Sequence, residues 1–239
     1  MITVFTSCYN QANHLKKAIE SVLSQTYTDF EYLLYDDGST DETWEIIQSY
    51  AKKDKRIRAF KLEKMPNVGV VINKSIKDAK GDVWTWCPSD DLFLPNLLEV
   101  KSRYQEKYPD SILYHNWHII NENDQPRGSY KVRELSPEKF NKVVWNESPI
   151  GFTGIWIPMK VFGVVGEFPE HLQYSEDFYW MIKATIHQVP FVGIPEYLHK
   201  KRKHFNTLTS KNIDKIIKQI PKIRKDLKDY RERLTNDKS

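Results

Sequence analysis

The stretch Glu31-Tyr-Leu-Leu-Tyr-Asp-Asp-Gly-Ser-Thr-Asp41 is an apolar run that leads directly into carboxylates, a glycine and two hydroxyls. The run is typical of a buried strand, and its polar end is typical of the loop after a strand in a parallel sheet. A second run, Val83-Trp-Thr-Trp-Cys87, ends in the same way at Ser89-Asp-Asp91. Because parallel strands end at one edge of a sheet, both polar ends are expected to line a single crevice.

The first 115 residues alternate between strand and helix patterns. This alternation predicts an α/β fold, with a mostly parallel central sheet flanked by helices. The predicted strands are 2–8, 31–36, 56–61, 83–87 and 111–117, and the predicted helices are 13–25, 41–54, 68–79 and 96–107. Asp41 is interpreted as the N-cap of the second helix.

The alternation breaks down after residue 115. Residues 121–126 have the composition of a hairpin tip, and Ser136-Pro137 is typical of a helix start. The remaining patterns predict strands at 152–157, 191–194 and 197–203, and helices at 158–165 and 175–189.

The composition is that of a soluble globular protein, with 40% hydrophobic and 28% charged residues in 239. No apolar run approaches the roughly 18 residues of a membrane span, and no charged leader precedes the first strand, so a cytoplasmic location is expected. Cys8 and Cys87 are expected to be buried, reduced thiols.

The charge is concentrated at the C-terminal end. Residues 199–239 contain 14 Lys/Arg against 5 Asp/Glu, whereas the rest of the chain contains 22 against 27. From Lys211 onward, isoleucines and leucines recur every three or four residues, which predicts a basic amphipathic helix interrupted at Pro221. Its apolar face could pack on the body of the protein, on a second subunit, or on the anionic inner face of the plasma membrane. No recognition motif for nucleic acid accompanies the charge.

Several segments together resemble the family 2 glycosyltransferases of the GT-A fold. They are, in chain order, Thr6-Ser-Cys-Tyr-Asn10, 18–31, Tyr35–Asp41, Asn67-Val-Gly69, Asn73, Pro88-Ser-Asp-Asp91 and Ser175-Glu-Asp177. The resemblance implies a Rossmann-like GT-A domain at 1–204, with a nucleotide-binding half at about 1–115 and an acceptor half at about 116–204. Residues 205–239 would then form the helical extension.

The resemblance also implies which residues bind the donor. Tyr9 would stack on the base, Asp37 would accept a hydrogen bond from the N3–H of uracil, and Ser7 would support the base through its backbone. Asn67, Asn73 and Asp90 are further expected contacts to the nucleotide sugar. Without the family, Asp37 could equally be a turn or cap residue.

A divalent cation, Mn²⁺ or Mg²⁺, is implied by the same resemblance. Asp91 would ligate it, and His204, in a segment that resembles the Arg-x-His pattern of many members, would complete the site. Carboxylate oxygens and imidazole both suit Mn²⁺. This chain has Ser89 where the acidic motif often begins with aspartate.

Asp177 matches the family's general base, and Glu176 is expected to bind the acceptor. Carboxylates at a helix start are also common for capping alone. Trp156, in a segment that mixes glycines and aromatics, is assigned either to the acceptor site or to the core.

The resulting hypothesis is an inverting transferase that moves a hexose or N-acetylhexosamine from a UDP-sugar to a carbohydrate acceptor. By family habit it would act in bacterial surface polysaccharide or glycoprotein glycan synthesis. The alternative is a non-catalytic, nucleotide-sugar-binding partner subunit of a glycosyltransferase complex.

Overall fold

The chain folds around one mixed sheet. The structure, a computed structural model, describes residues 1–203 and 208–236. In these residues the strands are β1 Ile2–Cys8, β2 Phe30–Asp37, β3 Ile57–Leu62, β4 Val83–Trp86, β5 Leu92–Phe93, β6 Ile112–Ile120, β7 Pro126–Tyr130, β8 Trp156–Pro158 and β9 Phe191–Arg202. The helices are α1 Ala12–Leu23, α2 Thr43–Ala51, α3 Val68–Asp78, α4 Leu97–Lys107, α5 Pro137–Val143, α6 Met159–Val165, α7 Glu176–Ile186 and α8 Leu208–Asn236.

The strand order explains where the polar loops meet. Over the described residues the sheet runs β3-β2-β1-β4-β8-β6-β9-β5, with β7 paired to β6. Strands β3, β2, β1 and β4 are parallel neighbours, so the loops after β1, β2 and β4 lie at the same edge. This confirms the predicted α/β architecture and its crevice. The predicted bounds of the strands and helices up to residue 120 agree with the structure to within three residues.

Two hydrophobic cores cover the two faces of the sheet. One packs α1, α2 and α4 against the sheet through residues such as Leu15, Ile19 and Leu97. The other packs α3, α6, α7 and the second half of α8 against the opposite face, with Trp84 and Trp180 fully buried. Cys8 and Cys87 are buried free thiols, as predicted. Burial is the main reason that the pKa of each is raised well above its ordinary value.

Local predictions beyond residue 115 need several corrections. The strand predicted at 152–157 is only Trp156–Pro158, because residues before it turn to bring the Gly154 N–H onto the carbonyl of Trp86. The two predicted strands near the end of the body are one strand, β9, with register shifts opposite its centre. Pro195, which has no N–H to donate, lies at that irregularity.

Helix starts follow ordinary capping chemistry. Ser136 accepts a hydrogen bond from the Lys139 N–H and Pro137 occupies the first turn, as predicted. Helix α2 begins later than predicted, at Thr43, and its N-cap position is Glu42. The Asp41 carboxylate still accepts the Thr43 N–H at 3.0 Å, and it also accepts the Ala12 N–H at 3.1 Å. Asp41 therefore joins the starts of two helices.

Helix α8 is not interrupted at Pro221, so that prediction is wrong. The non-helical backbone lies at Asn212, and the helix continues through the proline. Pro221 loses one backbone hydrogen bond, whereas Ile223 and Leu227, just beyond it, are completely buried against the body. Their burial holds the helix together across the proline. No helix in the described part of the chain is long and apolar enough to cross a membrane.

Candidate active site

The proposed base-binding residues lie on neighbouring parallel strands. Ser7 is at the end of β1, Tyr9 follows it, and Asp37 ends β2. The two loops are joined, because the Asn10 side chain accepts the Thr40 N–H at 2.9 Å and the Asn10 N–H donates to the Ser39 hydroxyl. Tyr9 is 46% exposed, which leaves a ring face accessible at this edge.

Asp37 is buried and already has two partners. One carboxylate oxygen accepts the Met65 N–H at 2.7 Å, and the other pairs with the Lys64 ammonium group. The same ammonium lies 4.0 Å from the centroid of the Tyr9 ring. Lys64 therefore lies between the two side chains predicted to hold a base. Nothing in its sequence context distinguishes it from the other surface lysines.

The side chains of Asn67 and Asn73 are both hydrogen-bonded within the protein. Asn67 caps α3 by accepting the Val70 N–H, and its amide donates to the carbonyl of Glu170. Asn73 is 1% exposed, accepts the Phe168 N–H, and donates to the Phe168 carbonyl and the Glu170 carboxylate. Both residues attach α3 to the segment that leads to α7. That the two asparagines contact the nucleotide sugar stays a prediction. The burial of Asn73 argues against its direct contact with a bound donor.

A cleft of about 1000 Å³ brings the acidic residues together. Asp90, Asp91, Glu176 and Asp177 all line it. Gly69 allows α3 to lie close to the segment before α7, because a Cβ there would come within 3.1 Å of the Pro169 carbonyl oxygen. Three segments distant in sequence therefore meet at one cavity.

Asp91 is held by two donors and crowded by a like charge. Its carboxylate accepts hydrogen bonds from the Thr153 hydroxyl at 2.6 Å and from the backbone N–H of Arg202 at 2.7 Å. Burial first, and repulsion by Asp90 second, raise the pKa of Asp91 to about 7. A cation beside the pair would relieve this repulsion. The hard oxygen donors of Asp90 and Asp91 thus fit Mg²⁺ or Mn²⁺.

The described residues do not complete a metal site alone. Residues 1–203 and 208–236 contain no group of three or more His, Cys, Asp and Glu side chains arranged to hold a metal ion. The predicted ligand His204 lies outside the described residues. His199, its neighbour in sequence, is 1% exposed and hydrogen-bonded to His115 at 2.8 Å.

Arg202 has a structural role that sequence reasoning did not identify. Its guanidinium is 1% exposed, donates to the carbonyls of Asp90 and Asn121, and pairs with Asp124. These contacts hold the end of β9, the loop after β4 and the β6–β7 hairpin together.

Glu176 and Asp177 open α7 directly after a strained residue. Ser175 has a left-handed backbone with φ of 63°, which is uncommon outside glycine and is often found at functional sites. Asp177 is half-buried, and its carboxylate accepts the Phe178 N–H at 2.7 Å. Burial raises the pKa of Asp177, and burial followed by repulsion from Asp177 raises the pKa of Glu176 to about 8. Both carboxyls are therefore stronger bases than usual.

Trp156 does not reach the cleft, so its assignment to the acceptor site is wrong and the core assignment is right. It is 1% exposed and packs in the core on the α4 side of the sheet. The aromatic side chains that line the cleft include Trp117 and Tyr130 of the β6–β7 hairpin, which stack at 4.3 Å between ring centroids. The others are Trp86, Phe152, Tyr174 and Phe178. Tyr130 is 41% exposed.

The fold itself belongs to a known class. Residues 1–349 of Staphylococcus aureus TarS, solved with UDP-GlcNAc, superpose with a TM-score of 0.73 over 87% of this chain and 60% of that one, at 19% identity. A mannosyltransferase from Pyrobaculum calidifontis, solved with GDP-Man and Mn²⁺, gives a TM-score of 0.68 over 89% of this chain and 59% of that one, at 14% identity. The architecture is therefore that of the GT-A glycosyltransferases.

The family follows from sequence. The chain belongs to glycosyl transferase family 2, whose family model matches residues 3–164. Similar curated proteins include uncharacterized glycosyltransferases of Rickettsia typhi, 29% identical over 85% of this chain, and of Rickettsia felis, 32% identical over 84%. The chain spans 64% and 35% of the length of these two relatives.

Proposed function

We propose that the chain transfers a hexose or N-acetylhexosamine from a UDP-sugar to a carbohydrate acceptor, with inversion at the anomeric carbon. The observation that carries the proposal is the single cleft lined by Asp90, Asp91, Glu176 and Asp177. The family and the nucleotide-sugar-bound GT-A neighbours support a sugar donor. Action in surface polysaccharide or glycoprotein glycan synthesis stays a prediction.

Donor binding is assigned to the edge formed by β1 and β2. Tyr9 would stack on uracil and Asp37 would accept its N3–H, once Lys64 has moved aside. Ser7 lies on the same edge. Asp91 would hold a divalent cation, which when bound would neutralise charge on the leaving diphosphate. Asp90, beside it in the cleft, would contact the donor sugar.

Asp177 is assigned as the general base. It would remove the proton from an acceptor hydroxyl, whose oxygen attacks the anomeric carbon on the face opposite the departing UDP. The environment that raises the pKa of Asp177 makes it a better proton acceptor. Glu176, beside it in the cleft, would bind the acceptor. The accessible ring of Tyr130 suits the C–H face of an acceptor sugar.

The first test measures UDP release from a panel of UDP-sugars, with and without Mn²⁺, for the wild type and Asp177→Asn. We expect one preferred donor, dependence on the metal, and a loss of about 10²- to 10⁴-fold in kcat in the variant. The UDP dissociation constant should not change. Asp110→Asn is the matched control, because Asp110 is an exposed carboxylate that pairs with Lys160.

Two results would argue against the assignment. Full activity of Asp177→Asn would remove Asp177 as the base. UDP binding without release from any donor, in the presence of a glycan acceptor mixture, would favour the non-catalytic partner subunit. A GDP-sugar added to the panel tests the base preference assigned to Asp37.

A further inference from the structure

The apolar stripe of α8 is divided among three environments. Ile223 and Leu227 are completely buried in the body. One and two turns earlier, Ile220 and Ile216 line the cleft that contains Glu176 and Asp177. Ile213 and Ile217, next to them on the helix, are 47% and 57% exposed. The same helix therefore forms a wall of the cleft and presents apolar side chains to solvent beside it.

The exposed surface of this helix is strongly basic. Residues 211–228 contain seven Lys/Arg against two Asp. Six of the seven are exposed lysines, at positions 211, 215, 218, 222, 225 and 228. Long lysine side chains can extend along a helix and place their ammonium groups at a charged surface while neighbouring apolar groups are immersed.

We propose that the surface formed by Ile213 and Ile217 with Lys218, Lys225 and Lys228 docks on an anionic lipid bilayer and places the cleft next to it. Single exposed hydrophobic residues are ordinary, but these two lie one helical turn apart and share their helix with a dense positive charge. Insertion of apolar side chains into the bilayer and attraction of lysines to anionic lipid act together.

The positive charge also favours an anionic membrane over a second copy of the chain as the partner of this surface. A symmetric interface through this face would bring two sets of lysines together, and their repulsion would oppose association. An anionic bilayer complements them. The docking does not depend on the proposed reaction; if both hold, acceptors carried by lipid would have direct access to the cleft.

The test is flotation of the whole protein with vesicles of phosphatidylcholine, with and without 30% phosphatidylglycerol. We expect the wild type to float only with the anionic vesicles and to be released by high salt. Ile213→Ser/Ile217→Ser should lower the partition coefficient by about tenfold or more. Val164→Ser is the matched control, because Val164 is an isolated apolar side chain on α6 that is 57% exposed, like Ile217.

A second pair of variants tests the charge. Lys218→Glu/Lys225→Glu should reduce binding to anionic vesicles by at least tenfold. The same reversal at Lys52 and Lys53, exposed at the end of α2, should change it by less than about twofold, as expected of charges away from the docking face.

Several outcomes would overturn the proposal. These are failure of the wild type to float, equal flotation of the isoleucine double variant, or a dimer in sedimentation that this variant converts to monomer. The last would assign the face to a second copy. Melting temperature and UDP affinity, both expected to be unchanged in the isoleucine variant, distinguish loss of docking from misfolding and from failure of the active-site assignment.

Discussion

Lys64 lies at the edge of the sheet where the donor base is proposed to bind. Its ammonium pairs with Asp37 and lies over the Tyr9 ring, which is the space that a stacked uracil would need. The lysine is 51% exposed, so the ion pair contributes little to stability. A nucleotide would therefore have to displace it at a small free-energy cost.

We expect Lys64→Met to tighten UDP binding by about two- to fivefold, because the competing ion pair, with a contribution of at most about 1 kcal/mol, is removed while the side-chain stem is kept. Isothermal titration calorimetry measures the dissociation constant. Lys61→Met is the control, since Lys61 is on β3 and its ammonium lies over the ring of Trp44 in α2. Weaker binding in Lys64→Met would instead show that the ammonium contacts the nucleotide.

At the scale of elements, the site depends on how α3 is attached to the segment before α7. The Asn73 side chain bridges the two, satisfying both the N–H and the carbonyl of Phe168. Phe168 is itself buried and stacks on Trp180 of α7 at 4.9 Å. The position of the helix that carries Asp177 is thus linked to a buried amide on α3.

We expect Asn73→Ala to lower the free energy of unfolding by about 2–4 kcal/mol, because two buried backbone groups lose their partner. Urea denaturation measures the change. Lys74→Ala, exposed on the same helix, should stay within about 0.5 kcal/mol of the wild type. A loss below about 1 kcal/mol in Asn73→Ala would mean that other partners replace the amide.

At the scale of the whole molecule, α8 is part of the folded body. Ile223 and Leu227 contribute to the same core as α7, and the Tyr230 hydroxyl lies 2.7 Å from the His187 ring nitrogen. The boundary at residue 204 between a domain and a helical extension stays a prediction. The burial shows, however, that the second half of the helix is stabilised by the body.

We expect Leu227→Ala to destabilise the entire protein by about 2–5 kcal/mol, since it leaves a cavity in the shared core. Ile217→Ala, exposed on the same helix, should change stability by less than about 0.5 kcal/mol. Thermal unfolding followed by circular dichroism tests both, and a single transition is expected. Separate melting of α8 before the body would contradict this view.

The residues that mark the family were recognisable because their signals are local. Strand periodicity, loop polarity and the order of Asp37, Asp90-Asp91 and Glu176-Asp177 predicted the parallel half of the sheet and one shared crevice. Carboxyl ends of parallel strands lie at one edge whatever the packing elsewhere.

Tertiary structure alone decided what covers each apolar or charged group. Trp156 is core while Trp117 and Tyr130 line the cleft, Arg202 is enclosed by carbonyls, and the isoleucines of α8 divide among core, cleft and solvent. Periodicity predicts that a helix has an apolar face, but burial is determined by which distant element packs on it. That choice depends on the whole fold, and no local pattern encodes it.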